Sequence, residues 1–177
     1  NKKLKFDMLM SKIHPHFLYN TLNSVIYLAR RDHNQDIEKM VQSLILILQD
    51  GMAAYSGKSC AMLKEELEVV SAYCVIQNYR YKDKVSVSIE VPDELTIAYV
   101  PKNILQPLVE NAIRYGVDRN GIRTVMICAC YAKDTYGHKC VHIAVKDNGK
   151  GFPKEMLEQF YCGENGNRVG LKNVHER

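Results

Sequence analysis

The chain has 177 residues, of which 46% are hydrophobic and 25% are charged, enough apolar material for one large domain or two small ones with a real core. The formal net charge is +4. Because the Lys and Arg residues are spread along the chain, this charge indicates solubility and argues against a nucleic-acid-binding surface.

The spacing of the cysteines and the length of the apolar segments narrow the possible classes of protein further. The six cysteines form no C-x-x-C pair, and no histidine lies at zinc-finger spacing from them. We therefore expect reduced thiols, most of them buried, in a cytosolic compartment. A membrane-spanning helix needs about 20 apolar residues, and apolar runs such as Leu44 to Leu48 are far shorter. The chain begins at Asn1, not at a methionine, and lacks a signal-peptide pattern, so we expect it to come from a longer protein.

Three helices are predicted in the first half of the chain. The first extends from about Leu4 to Arg31 and carries two apolar stripes, which need partner helices. Pro15 lies in its interior and predicts a kink or a new helix start just before His16. The second helix extends from about Gln35 to Met52, and the third from about Leu63 to Tyr81.

The second half alternates between strands and helices. Alternating Val and Ile predict a half-buried strand from Val85 to Val91, and a helix with Pro101 near its start is predicted to reach about Tyr115. The later predicted elements are strands at about Arg123 to Ala132 and Val141 to Asp147, a turn at Asp134 to Gly137, a short helix near Pro153 to Phe160, a loop from Cys162 to Asn167 and a final helix from about Val169. Helices first, then mixed helices and strands, make an α+β layout.

Asp147 follows a predicted strand directly and opens the block Asp147-Asn148-Gly149-Lys150-Gly151. A carboxylate at a strand end can accept a hydrogen bond from an adenine amino group, and two glycines let the backbone approach a ligand closely. A ligand-free Asp-Asn-Gly turn explains the same residues.

A second block extends from Gln106 to Gly116. Its helix presents two predicted faces, one with Leu108, Ala112 and Tyr115 and the other with Glu110, Asn111 and Arg114. Amide and carboxylate oxygens suit Mg²⁺, and a guanidinium suits phosphate, so the polar face can hold a metal–triphosphate. A solvated polar face is the alternative.

Two weaker blocks lie nearer the ends. The Gly/Asn-rich segment from Gly163 to Asn167 leads into a predicted helix whose N–H groups can bind phosphate, although such loops are common. His14-Pro15-His16 sets an imidazole, a nucleophile near physiological pH, beside a helix-breaking proline. A capping, packed or chance metal-binding histidine explains that block equally.

Taken together and in this order, the blocks resemble those of the LytS/YesM-type sensor histidine kinases, which carry the Bergerat-type (GHKL) ATP-binding fold. The resemblance extends from about Phe6 to Arg177. The matching segments are Pro15 to Asn20 (the phosphoacceptor block), Gln106 to Ala112 (the N box), Asp147 to Gly151 (the first glycine box) and Gly170 to Val174 (the end of the second glycine box).

The resemblance implies an N-terminal helical hairpin for dimerisation and phosphoacceptance at residues 1–58 and an α/β sandwich ATP-binding domain, truncated at its C-terminal end, at residues 59–177. The implied cofactors are ATP and Mg²⁺, and the implied partners are a response regulator and a second copy of the chain. The implied roles are phosphoacceptor for His16, polarisation of the acceptor or a water for Glu110, Mg²⁺ ligand for Asn111, phosphate contact for Arg114, adenine contact for Asp147, and room for the nucleotide at Gly149, Gly151 and Gly170. The fragment is expected to be soluble, and the whole protein to be anchored with this part at the cytoplasmic face of the membrane.

Three departures from the family pattern leave alternatives open. Tyr115 stands where the family usually has His, Arg168 stands where it usually has Gly, and the chain stops at Arg177, before the last strands of the sheet. One alternative is an ATPase of the same superfamily, in which Glu110 activates water. The other is a non-catalytic dimerisation and signalling scaffold.

Overall fold

The computed structural model describes residues 15–30, 34–53 and 59–151. The described helices are α1 (Pro15–Arg30), α2 (Asn34–Ala53), α3 (Leu63–Arg80), α4 (Asp93–Thr96) and α5 (Leu105–Tyr115). The described strands are β1 (Cys60–Met62), β2 (Val85–Glu90), β3 (Tyr99–Pro101), β4 (Arg123–Lys133) and β5 (Lys139–Asp147). Within these ranges, no helix has both the length and the hydropathy of a membrane span.

The main sheet has the strand order β2-β4-β5. Strand β2 runs parallel to β4, which requires a crossover, and α4, β3 and α5 form that connection. Strand β4 returns antiparallel as β5 through a turn in which the Asp134 carboxylate accepts the backbone N–H groups of Tyr136 and His138 at 2.9 and 2.8 Å. A small antiparallel pair, β1 with β3, lies apart from this sheet.

The larger core lies between one face of the main sheet and helices α3 and α5. Val125 and Ile127 alternate along β4 toward this face, and they are fully buried together with Val70 of α3 and Val109 of α5. The opposite face of the sheet carries exposed polar residues, as the two-residue period of a strand requires. Helix α5, which carries the second block, is therefore fixed directly on the sheet.

A second cluster covers the other side of α3. Leu28 of α1, Met40 of α2 and Ile76 of α3 are buried against each other. Helix α3 is thus buried on two sides, toward the sheet and toward α1 and α2, and Ile47 of α2 packs against both clusters.

The structure confirms most predicted elements. Helices α2 and α3 and strands β2, β4 and β5 begin and end within two residues of their predicted bounds. Helix α1 begins at Pro15, in agreement with a helix start beside His16. The predicted elements at residues 4–14 and 152–177 lie outside the described residues.

Two predictions are wrong, and a short strand was not predicted. Pro101 does not open a helix: it ends β3, and the first-turn proline is Pro107, two residues after α5 begins. The strand at Cys60–Met62 was not predicted, because three residues are too few to establish a period. Most described thiols are not buried: Cys74 is, but Cys60, Cys130 and Cys140 are exposed. The last two of these belong to β4 and β5 and alternate away from the core face.

Candidate nucleotide-binding site

Helix α5 presents a different buried face from the predicted one. The buried residues are Leu105, Val109, Ala112 and Ile113, which follow the helical spacing of four, three and one. Ala112 was assigned to this face correctly. Tyr115 was not, because its side chain is 54% exposed at the end of the helix.

The end of α5 meets the end of β5 in close backbone contact. A β-carbon on buried Gly116 would lie 2.5 Å from the Asp147 Cβ, and one on Gly149 would lie 2.6 Å from the Gly116 Cα. Neither position has room for any residue but glycine. The structure therefore brings together the second block and the Asp147 block, which are about thirty residues apart in the sequence.

Asp147 and its neighbours form an ordered turn open to solvent. The Asp147 Oδ1 accepts the Gly149 backbone N–H at 2.8 Å, and the Asp147 side chain remains exposed. Asn148 ties the turn to β4, since its Oδ1 accepts the Thr124 N–H at 2.9 Å. Gly151 has φ +74°, and no atom of the described residues lies within 4 Å of a β-carbon placed on it.

The polar residues of α5 lie along its less buried side. The Gln106 Nε2 donates to the Glu110 Oε1 at 2.9 Å, which orients that carboxylate. Asn111 is half-buried, whereas Arg114 is exposed with its guanidinium 5.3 Å from the centre of the Tyr115 ring. Burial and then the charge of Glu110 raise the pKa of Tyr73 on α3, so this phenol stays protonated at neutral pH.

These side chains suit a bound metal–nucleotide. The Asn111 amide supplies an oxygen ligand of the kind that Mg²⁺ accepts. Arg114 supplies an exposed cation for phosphate oxygens. The Asp147 side chain, at the end of β5, is an exposed acceptor of the kind that an adenine amino group requires.

Two predicted site residues are not placed in this arrangement. His16 lies in the first turn of α1, and the position of its side chain is outside the described part of the chain. Gly170, and with it Arg168, is also outside the described residues.

Sequence reasoning assigned no role to Gly116 or Asn148. Both occur inside blocks that it singled out, yet their contacts join residues far apart in the chain. A glycine directly after the last residue of a predicted helix was the available signal for Gly116.

Two family models match the chain. A family model described as "Histidine kinase" matches residues 4–85, and one described as "Histidine kinase-, DNA gyrase B-, and HSP90-like ATPase" matches residues 98–177. The second match includes α5 and the Asp147 turn. The predicted fold class, helices followed by an α/β ATP-binding domain, is confirmed.

Curated relatives are similar over nearly the whole chain. The sensor histidine kinase YesM of Bacillus subtilis (strain 168) is 34% identical over 99% of this chain. The sensor protein LytS of Oceanobacillus iheyensis is 34% identical, and the sensor histidine kinase YpdA of Escherichia coli (strain K12) is 31% identical, each over 99% of this chain.

The chain spans only 29% of the length of YesM and 30% of the length of the LytS and YpdA proteins. What it shares with them is the segment that holds the histidine block and the nucleotide-site motifs. With both family matches and these relatives in agreement, the chain belongs to the sensor histidine kinases and joins their histidine kinase region to an ATP-binding domain of the gyrase B and HSP90 type.

Proposed function

We propose that the protein containing this chain is a Mg·ATP-dependent autokinase that phosphorylates His16 and passes the phosphoryl group to an aspartate of a response regulator. The observation that supports this most directly is the contact of Gly116 with Asp147 and Gly149, which sets the C-terminal end of the helix that carries Asn111 against the Asp147 turn. Phosphoryl transfer depends mainly on positioning and charge neutralisation, and this contact supplies the positioning.

Each site residue then has a defined task. The Asp147 carboxylate accepts a hydrogen bond from the adenine amino group. Asn111 holds Mg²⁺, which supplies charge neutralisation at the phosphates when bound, and Arg114 contacts phosphate oxygens. We propose that Gly149, Gly151 and Gly170 leave space for the nucleotide.

The transfer itself is a displacement at the γ-phosphorus. A ring nitrogen of His16 forms the new N–P bond as the bond from phosphorus to the β,γ-bridging oxygen breaks, and ADP leaves. Glu110, held by Gln106 at 2.9 Å, polarises the histidine ring through hydrogen bonding. The phosphoryl group later moves from His16 to a carboxylate oxygen of the response regulator.

We also propose a homodimer and the division of the chain at residues 58 and 59. Leu22 and Ile26 of α1 and Val41 and Ile45 of α2 are exposed apolar residues spaced four apart. Such stripes on two neighbouring helices suit a four-helix bundle made with a second copy. As part of this proposal, the longer protein is anchored in a membrane, and this part of it lies at the cytoplasmic face.

The test is labelling with [γ-³²P]ATP and Mg²⁺. Wild type is expected to gain acid-labile, alkali-stable label, and His16→Ala and Asp147→Asn are expected to lose it. His142→Ala is the matched control, because His142 lies exposed on β5 and is expected to label like wild type. Equal labelling of His16→Ala and wild type would refute the acceptor assignment.

One observation also favours the alternative function of an ATPase. Glu110 directly precedes Asn111 and is oriented by a hydrogen bond, which suits activation of a water molecule as well as of a histidine. Free phosphate release without labelled protein, abolished in Glu110→Gln, would favour an ATPase. The other alternative, a non-catalytic scaffold, would be favoured if a fluorescent ATP analogue does not bind at millimolar concentration.

A further inference from the structure

The N-terminal end of α5 is bound by a side chain from another helix. Glu66, in the first turn of α3, accepts the backbone N–H groups of Asn103, Ile104 and Leu105 at 2.6, 3.0 and 3.2 Å. Its side chain lies inside the protein, with 5% of the residue exposed. The segment from which α5 starts is thereby fastened to α3 across 37 to 39 residues of sequence.

Helix α5 has no cap of its own. Its N-cap residue is Ile104, which makes no side-chain capping hydrogen bond, and its first turn contains no acidic residue. The first N–H groups of a helix have no partner within it, and their partial positive charge favours a carboxylate. Glu66 supplies both the acceptors and the carboxylate that the local sequence of α5 lacks.

The C-terminal end of α5 is bound in the complementary way. The Arg123 Nε donates to the Ile113 carbonyl at 3.0 Å, and the same guanidinium lies 3.8 Å above the Tyr81 ring. A cation at the last carbonyls and a carboxylate at the first N–H groups both match the helix dipole. The helix is therefore clamped between β4 and α3, at both ends, by side chains outside itself.

We propose that Glu66 is a positioning residue for the nucleotide site, acting through α5 on Asn111. This inference rests on the proposed function, in which Asn111 and Asp147 act on one nucleotide. The contact at Gly116 leaves no clearance toward Asp147, so a shift of α5 that follows loss of the Glu66 hydrogen bonds changes the separation of Asn111 and Asp147. Asn111 lies six residues into a helix whose start Glu66 fixes.

Glu66→Gln is the informative substitution. The amide keeps the size of the side chain, but its NH₂ group faces N–H donors and cannot accept from them. Glu68→Gln is the matched control, since Glu68 is exposed on the same helix. Ile76→Val is the stability control, since Ile76 is buried in the cluster on the far side of α3 from the sheet.

Two measurements are made on each whole-chain variant after circular dichroism confirms that it is folded. The first is the Kd of a fluorescent ATP analogue with Mg²⁺. The second is amide hydrogen exchange of residues 103–115 without nucleotide. Loss of charge-assisted hydrogen bonds predicts that Glu66→Gln raises the Kd about tenfold or more, and that exchange in this segment speeds up. Glu68→Gln and Ile76→Val are expected to keep the wild-type Kd, although Ile76→Val is less stable. If Glu66 has a purely structural role, Glu66→Gln is expected to behave like Ile76→Val, with lower stability and the wild-type Kd.

The outcomes separate this inference from the proposed function. If wild type binds and folded Glu66→Gln binds equally well, the inference is overturned and the kinase proposal stands. If wild type does not bind nucleotide, the proposed function fails. In that case the positioning role falls with it, and hydrogen exchange decides only whether Glu66 fixes the start of α5: faster exchange in residues 103–115 of Glu66→Gln would show that it does, and unchanged exchange would show that it does not.

Discussion

The Cα of Gly116 lies 2.6 Å from the point where a β-carbon on Gly149 would stand. Real β-carbons do not approach other atoms so closely, so the helix carrying Asn111 and the turn carrying Asp147 meet through two glycines. The contact joins the two halves of the candidate nucleotide site by backbone alone.

Gly149→Ala is therefore expected to separate the two halves. The added methyl group meets backbone atoms of Gly116 and Tyr115, which cannot rotate away, and the strain is expected to cost about 1–3 kcal/mol of unfolding free energy. Urea unfolding and titration with a fluorescent ATP analogue measure the two effects. We expect lower stability and weaker nucleotide binding together.

Gly51→Ala is the matched control, and its expected effect on the unfolding free energy has the opposite sign. Gly51 lies within α2, and a β-carbon there meets no atom of the described part of the chain within 4 Å. Alanine in a helix is favoured over glycine by about 0.5–1 kcal/mol, so this variant is expected to be more stable and to bind nucleotide normally. A stabilised Gly149→Ala would refute the contact described here.

The salt bridge between Asp50 and Lys102 joins the end of α2 to the segment before α5. The Lys102 Nζ lies 2.8 Å from the Asp50 Oδ1, and the side chains of Lys102 and Asp50 are 13% and 18% exposed. Because the pair is largely removed from water, a double-mutant cycle with Asp50→Asn and Lys102→Met is expected to give a coupling energy of about 1–2 kcal/mol. Unfolding of the four proteins in urea measures it.

The exposed pair of Asp134 and His138, which is an ion pair only when His138 is protonated, serves as the reference for this cycle at a pH low enough to protonate it. Solvent and salt screen an exposed pair, so its coupling is expected to be the smaller of the two and to weaken further in 0.5 M salt. Equal coupling for both pairs would contradict the importance of the Asp50–Lys102 link.

Tyr79 gives the stability of the chain a defined pH dependence. Its hydroxyl donates to the Asp36 carboxylate at 2.7 Å. Burial, this hydrogen bond and the nearby charges of Asp36 and Asp83 raise the pKa of Tyr79 from 10.0 to about 12. The folded state holds the phenolic proton more tightly than the unfolded state, so the contribution is complete below pH 10 and is lost as the pH rises to about 12.

Tyr79→Phe is expected to cost about 1 kcal/mol at pH 8 through the lost hydrogen bond. The gap between wild type and this variant is expected to shrink as the pH rises above 10, where the unfolded wild type begins to release the Tyr79 proton. Guanidinium unfolding across this pH range provides the measurement. Tyr99→Phe, at a residue that is 71% exposed, is expected to match wild type, and a pH-independent Tyr79 gap would contradict the assignment.

The exposed stripes of α1 and α2 predict where a dimer forms. Ile26 and Ile45 are 50% and 47% exposed, and Lys at either position would place a charge in a helix bundle. Loss of a buried isoleucine costs about 1.5–3 kcal/mol, so the dimer Kd is expected to rise about tenfold or more. Analytical ultracentrifugation of each variant measures this change.

Ile97→Lys is the control for the dimer prediction. Ile97 is 64% exposed but follows α4, away from both stripes. It is expected to leave self-association unchanged. If Ile97→Lys weakens the dimer as much as Ile26→Lys does, the interface lies elsewhere.

The sequence by itself determined the longer helices and strands and indicated the motifs. Helical and strand periods are local, so α2, α3, β2, β4 and β5 follow from neighbouring residues. The histidine block and the blocks around Asn111 and Asp147 were enough to indicate a sensor histidine kinase with an ATP-binding domain, and the family matches confirm it. The individual roles of His16, Asn111 and Asp147 stay predictions.

Only the tertiary structure decided the relations between distant segments. The acceptance of three N–H groups of α5 by Glu66 and the glycine contact at Gly116 join residues that no local pattern connects. The same cause explains the misplaced helix start at Pro101, since a three-residue strand exists only because Cys60–Met62 pairs with it. Periodicity is determined by the nearest turn of the chain, whereas caps, close approaches and short strands depend on the partner that folding brings to them.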